Sequence, residues 1–149
     1  MSNTRLRGLS IMPADIGGKR VLVVDDDLVQ RMLLVRILRK AGYDSATAMS
    51  NEEARSLLDQ SDFGLVVSDL HMFAEDGIEL IRHVADHHPG TYSIVVSGFA
   101  SEKDIDRLRR AGAFELMTKP VDARKFLDLV ERAFADRTAS LDVIRHRSG

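Results

Sequence analysis

Five short apolar runs, each followed by a segment of helical spacing, alternate through residues 20–136. Strict β-α alternation leaves few ways to fold: a parallel sheet, helices on both faces, right-handed crossovers. The first run, Arg20 to Val24, is mostly Val and Leu, the composition of a buried parallel strand. It ends in Asp25-Asp26-Asp27, and Val29, Met32, Leu33, Ile37 and Ala41 then recur at three- and four-residue steps. Asp26 or Asp27 can cap that helix and Gly42 stops it. Tyr43 to Ala48 reads as a second strand, and Ser50-Asn51-Glu52-Glu53 as a capping box before Ala54, Leu57 and Leu58. The third strand, about 64–68, delivers Asp69; a helix starts at Asp76-Gly77, carries Ile78, Ile81, Val84 and Ala85, and breaks at Pro89-Gly90. Tyr92 to Val96 is a fourth strand ending on Ser97-Gly98, followed by a polar helix with Ser101 as cap and Ile105 and Leu108 as its few apolar positions. Phe114 to Met117 is the fifth strand, running into Thr118-Lys119-Pro120. Phe126, Leu129, Val130, Ala133 and Phe134 then mark a strongly amphipathic helix whose pattern fades after Asp136. These boundaries divide the chain into a flexible leader at 1–18, an α/β domain at 19–136 and a short, solvated tail at 137–149. Met32, Met49 and Met117 are most simply core filler.

A chain of 149 residues, 44% hydrophobic and 30% charged, has room for one proper core. It contains no Cys, which excludes disulfides and thiolate metal sites. No apolar run approaches the roughly 20 residues needed to span a membrane, and the first 18 residues lack the apolar stretch of a secretory signal, so a cytoplasmic protein is expected. The net charge of −2 hides an acidic body: residues 21–136 carry 14 Lys and Arg against 21 Asp and Glu. That balance argues against a nucleic-acid-binding face.

Four strand ends carry chemistry-bearing residues: Asp25 and Asp26, Asp69, Ser97, and Lys119. In a parallel sheet those ends share one edge, which is where ligands bind in open α/β sheets. Taken alone, Asp69 reads equally well as a turn residue. Taken with the others, it belongs to a cluster. Three converging carboxylates repel one another unless a cation lies among them. Oxygen donors of this kind suit Mg²⁺, which usually takes one or two carboxylates plus a phosphate. A hydroxyl and an ammonium nearby complete a site for a phosphoryl group, and a carboxylate can serve as its acceptor.

Val23-Val24-Asp25-Asp26, Asp69 with Asp76-Gly77, Ser97-Gly98 and Lys119-Pro120 together resemble the receiver domain of bacterial two-component response regulators, of the single-domain, chemotaxis-regulator-like kind. The resemblance covers about residues 20–136. It implies a flavodoxin-like, doubly wound sheet of five parallel strands in the order 2-1-3-4-5. It also implies a phosphorylation-switched signalling module rather than an enzyme. Asp69 is then the phosphoacceptor, and a histidine kinase or histidine phosphotransfer protein is the donor. Asp25, Asp26, Asp69 and the backbone carbonyl of His71 are the Mg²⁺ ligands the resemblance implies. Ser97 and Lys119 contact the phosphoryl group, and Pro120 follows Lys119 through a cis bond, which X-Pro tolerates. His71 and Phe99 occupy positions that tune phosphoryl lifetime in this family. Output passes to a downstream protein through residues 101–136, or onward by phosphorelay, from a monomer or a phosphorylation-dependent dimer. This sequence has Phe73 where the family usually has Pro, and Leu116 where it usually has the switch aromatic.

Two other readings stand beside this one. The chain is a receiver fragment of a larger effector protein, or Asp25-Asp26-Asp27-Leu28-Val29 is the Asp-x-Asp-x-Val motif of a haloacid-dehalogenase-type phosphatase using Asp25. The phosphatase reading requires a flap insert directly after the motif and a late acidic pair, where Asp122 stands alone. Elsewhere, His83, His87 and His88 suggest a metal-binding helix end, but no acid or Cys completes the set on that helix face apart from Asp86 off to the side, so a solvated C-terminal cap fits better. Arg107, Arg109 and Arg110 read equally as a partner-binding stripe or a solvated face.

Overall fold

The computed structural model describes residues 19–72 and 75–148, with side chains for all of these but 75 and 141–148. The leader at 1–18 and Phe73 lie outside the described residues. The main elements run β1 (Arg20–Val24), α1 (Leu28–Lys40), β2 (Asp44–Ala48), α2 (Asn51–Gln60), β3 (Leu65–Asp69), β4 (His71–Met72), β5 (Glu75–Asp76), α3 (Gly77–His87), β6 (Tyr92–Ser97), α4 (Glu102–Ala111), β7 (Glu115–Thr118) and α5 (Ala123–Ser148).

The sheet is parallel, with order β2-β1-β3-β6-β7. That is the expected 2-1-3-4-5 once β4 and β5 are set aside. These two short strands pair antiparallel between β3 and α3, where the sequence reading had only a loop. Two-residue strands carry too little periodicity to be read from sequence.

Strand alternation divides the core between two layers. Val21 and Val23 of β1, with Leu65 and Val67 of β3 and Ile94 and Val96 of β6, pack against Leu34 and Leu38 of α1 and Phe126 and Val130 of α5. Leu22, Val24 and Val66 point the other way, to Ala54 and Leu58 of α2 and Leu80 and Val84 of α3. A third cluster joins Leu70, Ile78, Ile81 and Val95 to Leu108 and Ala111 of α4. The central strands β1 and β3 are buried along almost their whole length. The edge strands β2 and β7 mix exposed and half-buried positions, as strands with one free edge do.

Three expectations need correction. The buried stripe of α1 is Leu34 and Leu38, whereas Val29, Met32 and Leu33 are 74%, 60% and 42% exposed. Apolar residues occur around most of this helix, so three- and four-residue spacing could not choose the inward face. Met49 is exposed as well, and only Met117 of the three methionines packs against the core. Lastly, α5 does not fade at Asp136; it continues to Ser148. Tertiary anchors hold this turn: the buried Arg137 donates to the Gly90 carbonyl, and Tyr92 Oη donates to Asp136 Oδ2 at 2.6 Å and lies 3.0 Å from Ser140 Oγ. Polar links of this kind leave no apolar period to detect.

The helix starts follow local chemistry. Asp27 caps α1 by accepting from the Val29 and Gln30 N–H groups. Ser50 accepts from Glu53 N–H at 3.1 Å, while the Glu53 carboxylate reaches Met49 N–H rather than the cap's own. Ser101 and Asp104 form the full reciprocal box on α4, which ends on Gly112 in the left-handed region at φ 98°. Among the described residues, no helix is long and apolar enough to cross a membrane.

Candidate functional site at the carboxyl edge of the sheet

The expected residues converge where β1, β3, β6 and β7 end. Asp25 follows β1 and is buried; its N–H donates to the Ala48 carbonyl at 3.1 Å, which extends the strand's pairing past Val24. Its Oδ1 accepts from Asp27 N–H at 2.9 Å. Asp69 is the last residue of β3 and is buried too, with Oδ1 accepting from His71 N–H at 3.2 Å. Asp26 is exposed at the rim. Asp25, Asp26 and Asp69 each offer a carboxylate oxygen, all within 4.8 Å of one another.

Lys119 reaches this cluster from the end of β7. Its Nζ donates to Asp69 Oδ2 at 3.1 Å and lies 3.6 Å from Asp25 Oδ2. The β7 register holds it there, with Thr118 opposite Ser97 and Lys119 N–H donating to the Ser97 carbonyl at 2.8 Å. The Lys119–Pro120 peptide is cis. Burial pushes the Asp25 carboxyl up; the Asp27 N–H and Lys119 oppose this, and the charges of Asp69 and Asp26 add to it. Burial lowers the Lys119 ammonium, but the hydrogen bond to Asp69 and the two carboxylate charges outweigh it, so its pKa is raised. The pocket therefore holds a surplus of negative charge that one ammonium only partly offsets. Hard oxygen donors with that surplus fit Mg²⁺.

Ser97 is fully buried, and its hydroxyl is engaged by the Phe99 backbone. It donates to the Phe99 carbonyl at 2.7 Å and accepts from Phe99 N–H at 3.3 Å. Phe99 is 70% exposed, and His71 is exposed. Leu116 is half-buried against the cluster that includes Leu108 and Ala111.

Sequence reasoning missed what shapes the pocket floor. A Cβ on Gly77 would lie 2.2 Å from the Asp69 carbonyl oxygen and 3.0 Å from Leu70 Cα. Gly77 N–H donates to the Leu70 carbonyl at 2.9 Å, so the start of α3 lies directly against the end of β3. The Asp76-Gly77 pair was visible in the sequence as a helix start, but its neighbour in space was not. Asp76 is also a junction. Its Oδ1 caps α3, its carbonyl accepts from Asn51 Nδ2 at 3.2 Å, and its Oδ2 accepts from Arg107 of α4 at 2.9 Å. Of the arginine stripe, Arg107 thus turns back into the molecule, while Arg109 pairs with Asp106 on the surface at 3.6 Å.

Comparison with known proteins agrees with this geometry. The family described as "Response regulator receiver domain" matches residues 21–131. The response regulator protein PilR of Pseudomonas aeruginosa is 31% identical over 115 residues, covering 77% of this chain and 26% of that protein. The chain thus spans about a quarter of the length of several curated relatives it matches. A response regulator receiver protein from Pseudomonas putida is 37% identical with a TM-score of 0.72, covering 76% of this chain and 95% of that one. The solution structure of a beryllofluoride-activated NtrC4 receiver domain dimer is 32% identical with a TM-score of 0.76, covering 80% of this chain and 98% of that one. The parallel sheet, the acidic pocket at its carboxyl edge and these matches together place the chain in the response regulator receiver domain family of two-component signalling.

Proposed function

We propose that this domain accepts a phosphoryl group on Asp69 from a phosphohistidine donor and passes the signal on through its surface. The observation that carries this is the contact between Asp69 Oδ2 and Lys119 Nζ inside a three-carboxylate pocket at the sheet edge. A carboxylate oxygen of Asp69 forms the new P–O bond as the donor's P–N bond breaks, and the imidazole leaves with its electron pair. Lys119 is placed to meet the charge arriving on the phosphoryl oxygens. Asp25, Asp26 and Asp69, with the His71 carbonyl, would hold Mg²⁺, which when bound neutralises charge during transfer.

Ser97 must break its bond to the Phe99 carbonyl to reach the phosphoryl group. That movement would loosen the segment leading into α4 and so bias residues 101–136, the output surface. With Leu116 in place of an aromatic, repacking against Leu108 and Ala111 is the available readout. Phe99 and His71 at the rim would tune how fast water removes the phosphoryl group. A monomer that pairs on phosphorylation fits the dimer known for the NtrC4 relative.

The donor's docking surface is the exposed side of α1. Leu28, Val29, Met32 and Leu33 line an open groove of about 790 Å³ together with Arg31, Arg36 and Arg39. This apolar and basic face begins one turn from Asp25 and Asp26, so a protein seated there would bring its phosphohistidine to Asp69. A Met32→Glu variant is expected to slow transfer from a protein donor at least ~10-fold, a loss of about 1.4 kcal/mol. Labelling by acetyl phosphate would not change. Equal transfer rates from the protein donor would remove α1 from the interface.

Stoichiometry separates this function from phosphatase chemistry. Acetyl phosphate with Mg²⁺ is expected to label one site per chain, with no turnover of p-nitrophenyl phosphate. Sustained turnover would favour the Asp25 nucleophile instead. α1 starts at Leu28, immediately after Asp27, which leaves no room for a flap insert there.

A further inference from the structure

The histidines at the end of α3 gain in space the acid they lack in sequence. Asp59, near the end of α2, His83, in the last turns of α3, and His88, its C-cap, each bring one ligand atom within 4.8 Å of the others. We propose that Asp59, His83 and His88 bind a divalent transition ion of the Zn²⁺ class and so clip the end of α2 to the end of α3.

Two observations point to a ligand. The Nε2 atoms of His83 and His88 are both shut off from solvent and have no hydrogen-bond partner. Buried polar atoms are normally satisfied, so each of the two calls for a partner, and both residues belong to the same three-residue cluster. Moreover, His88 Nε2 and Asp59 Oδ1 lie 3.4 Å apart. A tetrahedral ion with bonds of about 2.0–2.1 Å separates its ligand atoms by about 3.3 Å. A simple His88–Asp59 ion pair would account for that distance but not for His83. The His87 ring stacks on His83 with centroids 4.4 Å apart, and its Nδ1 lies 3.2 Å from the His83 carbonyl, which limits rotation of the two rings.

Two imidazoles and one carboxylate suit Zn²⁺, Cu²⁺ or Ni²⁺, whereas Mg²⁺ takes oxygen donors. The site is thus chemically distinct from the acidic pocket and does not rest on the phosphoryl-transfer reading. Three protein ligands leave a fourth position for water. Arg55, whose charge reaches His83, opposes a cation, so affinity in the micromolar range is expected.

The test titrates the full chain with Zn²⁺ in excess Mg²⁺, and repeats the titration on His88→Ala, Asp59→Asn and Asp69→Asn. One equivalent is expected to bind, at least ~10-fold more weakly in His88→Ala and Asp59→Asn. Asp69→Asn should bind as wild type does. Co²⁺ in place of Zn²⁺ should give the visible bands of a four-coordinate ion, absent in His88→Ala. Unchanged affinity in His88→Ala, or loss of binding in Asp69→Asn, would overturn the proposal.

Discussion

A Gly77→Ala variant is expected to lose phosphoryl acceptance while still folding. The added methyl would lie 2.2 Å from the Asp69 carbonyl oxygen, closer than any real contact permits, and 3.0 Å from Leu70. The clash is with backbone, so no side chain can swing aside. Either α3 withdraws or the end of β3 is pushed, and Asp69 sits on that end. Overpacking of this kind costs about 1–3 kcal/mol. A displacement of about 1 Å at a reacting group can cost on the order of 100-fold in rate. Urea melts and acetyl phosphate labelling on the same sample would show a modest stability loss with a far larger loss of labelling. Wild-type labelling in Gly77→Ala would mean the close approach has no bearing on the site.

Lys119→Met should be the most destabilising change in the pocket. It leaves Asp25 and Asp69 buried beside each other without their cation. Breaking a buried pair costs about 3–5 kcal/mol, and the low end applies because a quarter of the Lys119 side chain remains exposed. The signs differ for the partners. The Lys119 pKa is raised on folding, so its contribution is fully present at neutral pH and is lost only as pH rises through that raised value. The Asp25 pKa is also raised, which for an acid means stability falls as pH rises from the usual carboxylate value of 3.8 through the raised one. Above the raised value that penalty is complete. Asp25→Asn, which keeps an oxygen for the Asp27 N–H, is therefore expected to melt above wild type in EDTA. Combined with Lys119→Met it should recover much of the loss. Millimolar Mg²⁺ should narrow the gap between Lys119→Met and wild type, because a ligand of the native state stabilises it. A Lys119→Met protein as stable as wild type in EDTA would contradict this charge balance.

Much of this was legible in the sequence for physical reasons. Apolar runs such as Val21–Val24 and Leu65–Val67 have no stable place except a buried strand, and their alternation with helices dictated the parallel sheet. Once the sheet is parallel, Asp25, Asp69, Ser97 and Lys119 must share an edge, so the meeting of Asp25, Asp69 and Lys119 followed from topology, while the turn of the Ser97 hydroxyl to the Phe99 backbone did not. What stayed hidden depends on contacts between elements distant in sequence. The inward face of α1 was one case, since Leu33 and Leu34 look alike until the sheet takes one of them. Asp59 was another, because it reaches the α3 histidines from a different helix. The continuation of α5 rests on Tyr92 and Arg137, polar side chains that carry no period.

In the proposed reaction Asp69 carries the phosphoryl group. Intact-mass measurement after incubation with acetyl phosphate and Mg²⁺, on wild type beside Asp69→Asn, tests it directly. Wild type should gain the mass of one phosphoryl group, about 80 Da, lost again in hydroxylamine as an acyl phosphate is. Asp69→Asn should gain none. Equal gain in both proteins, or none in wild type, would rule out Asp69 as the acceptor.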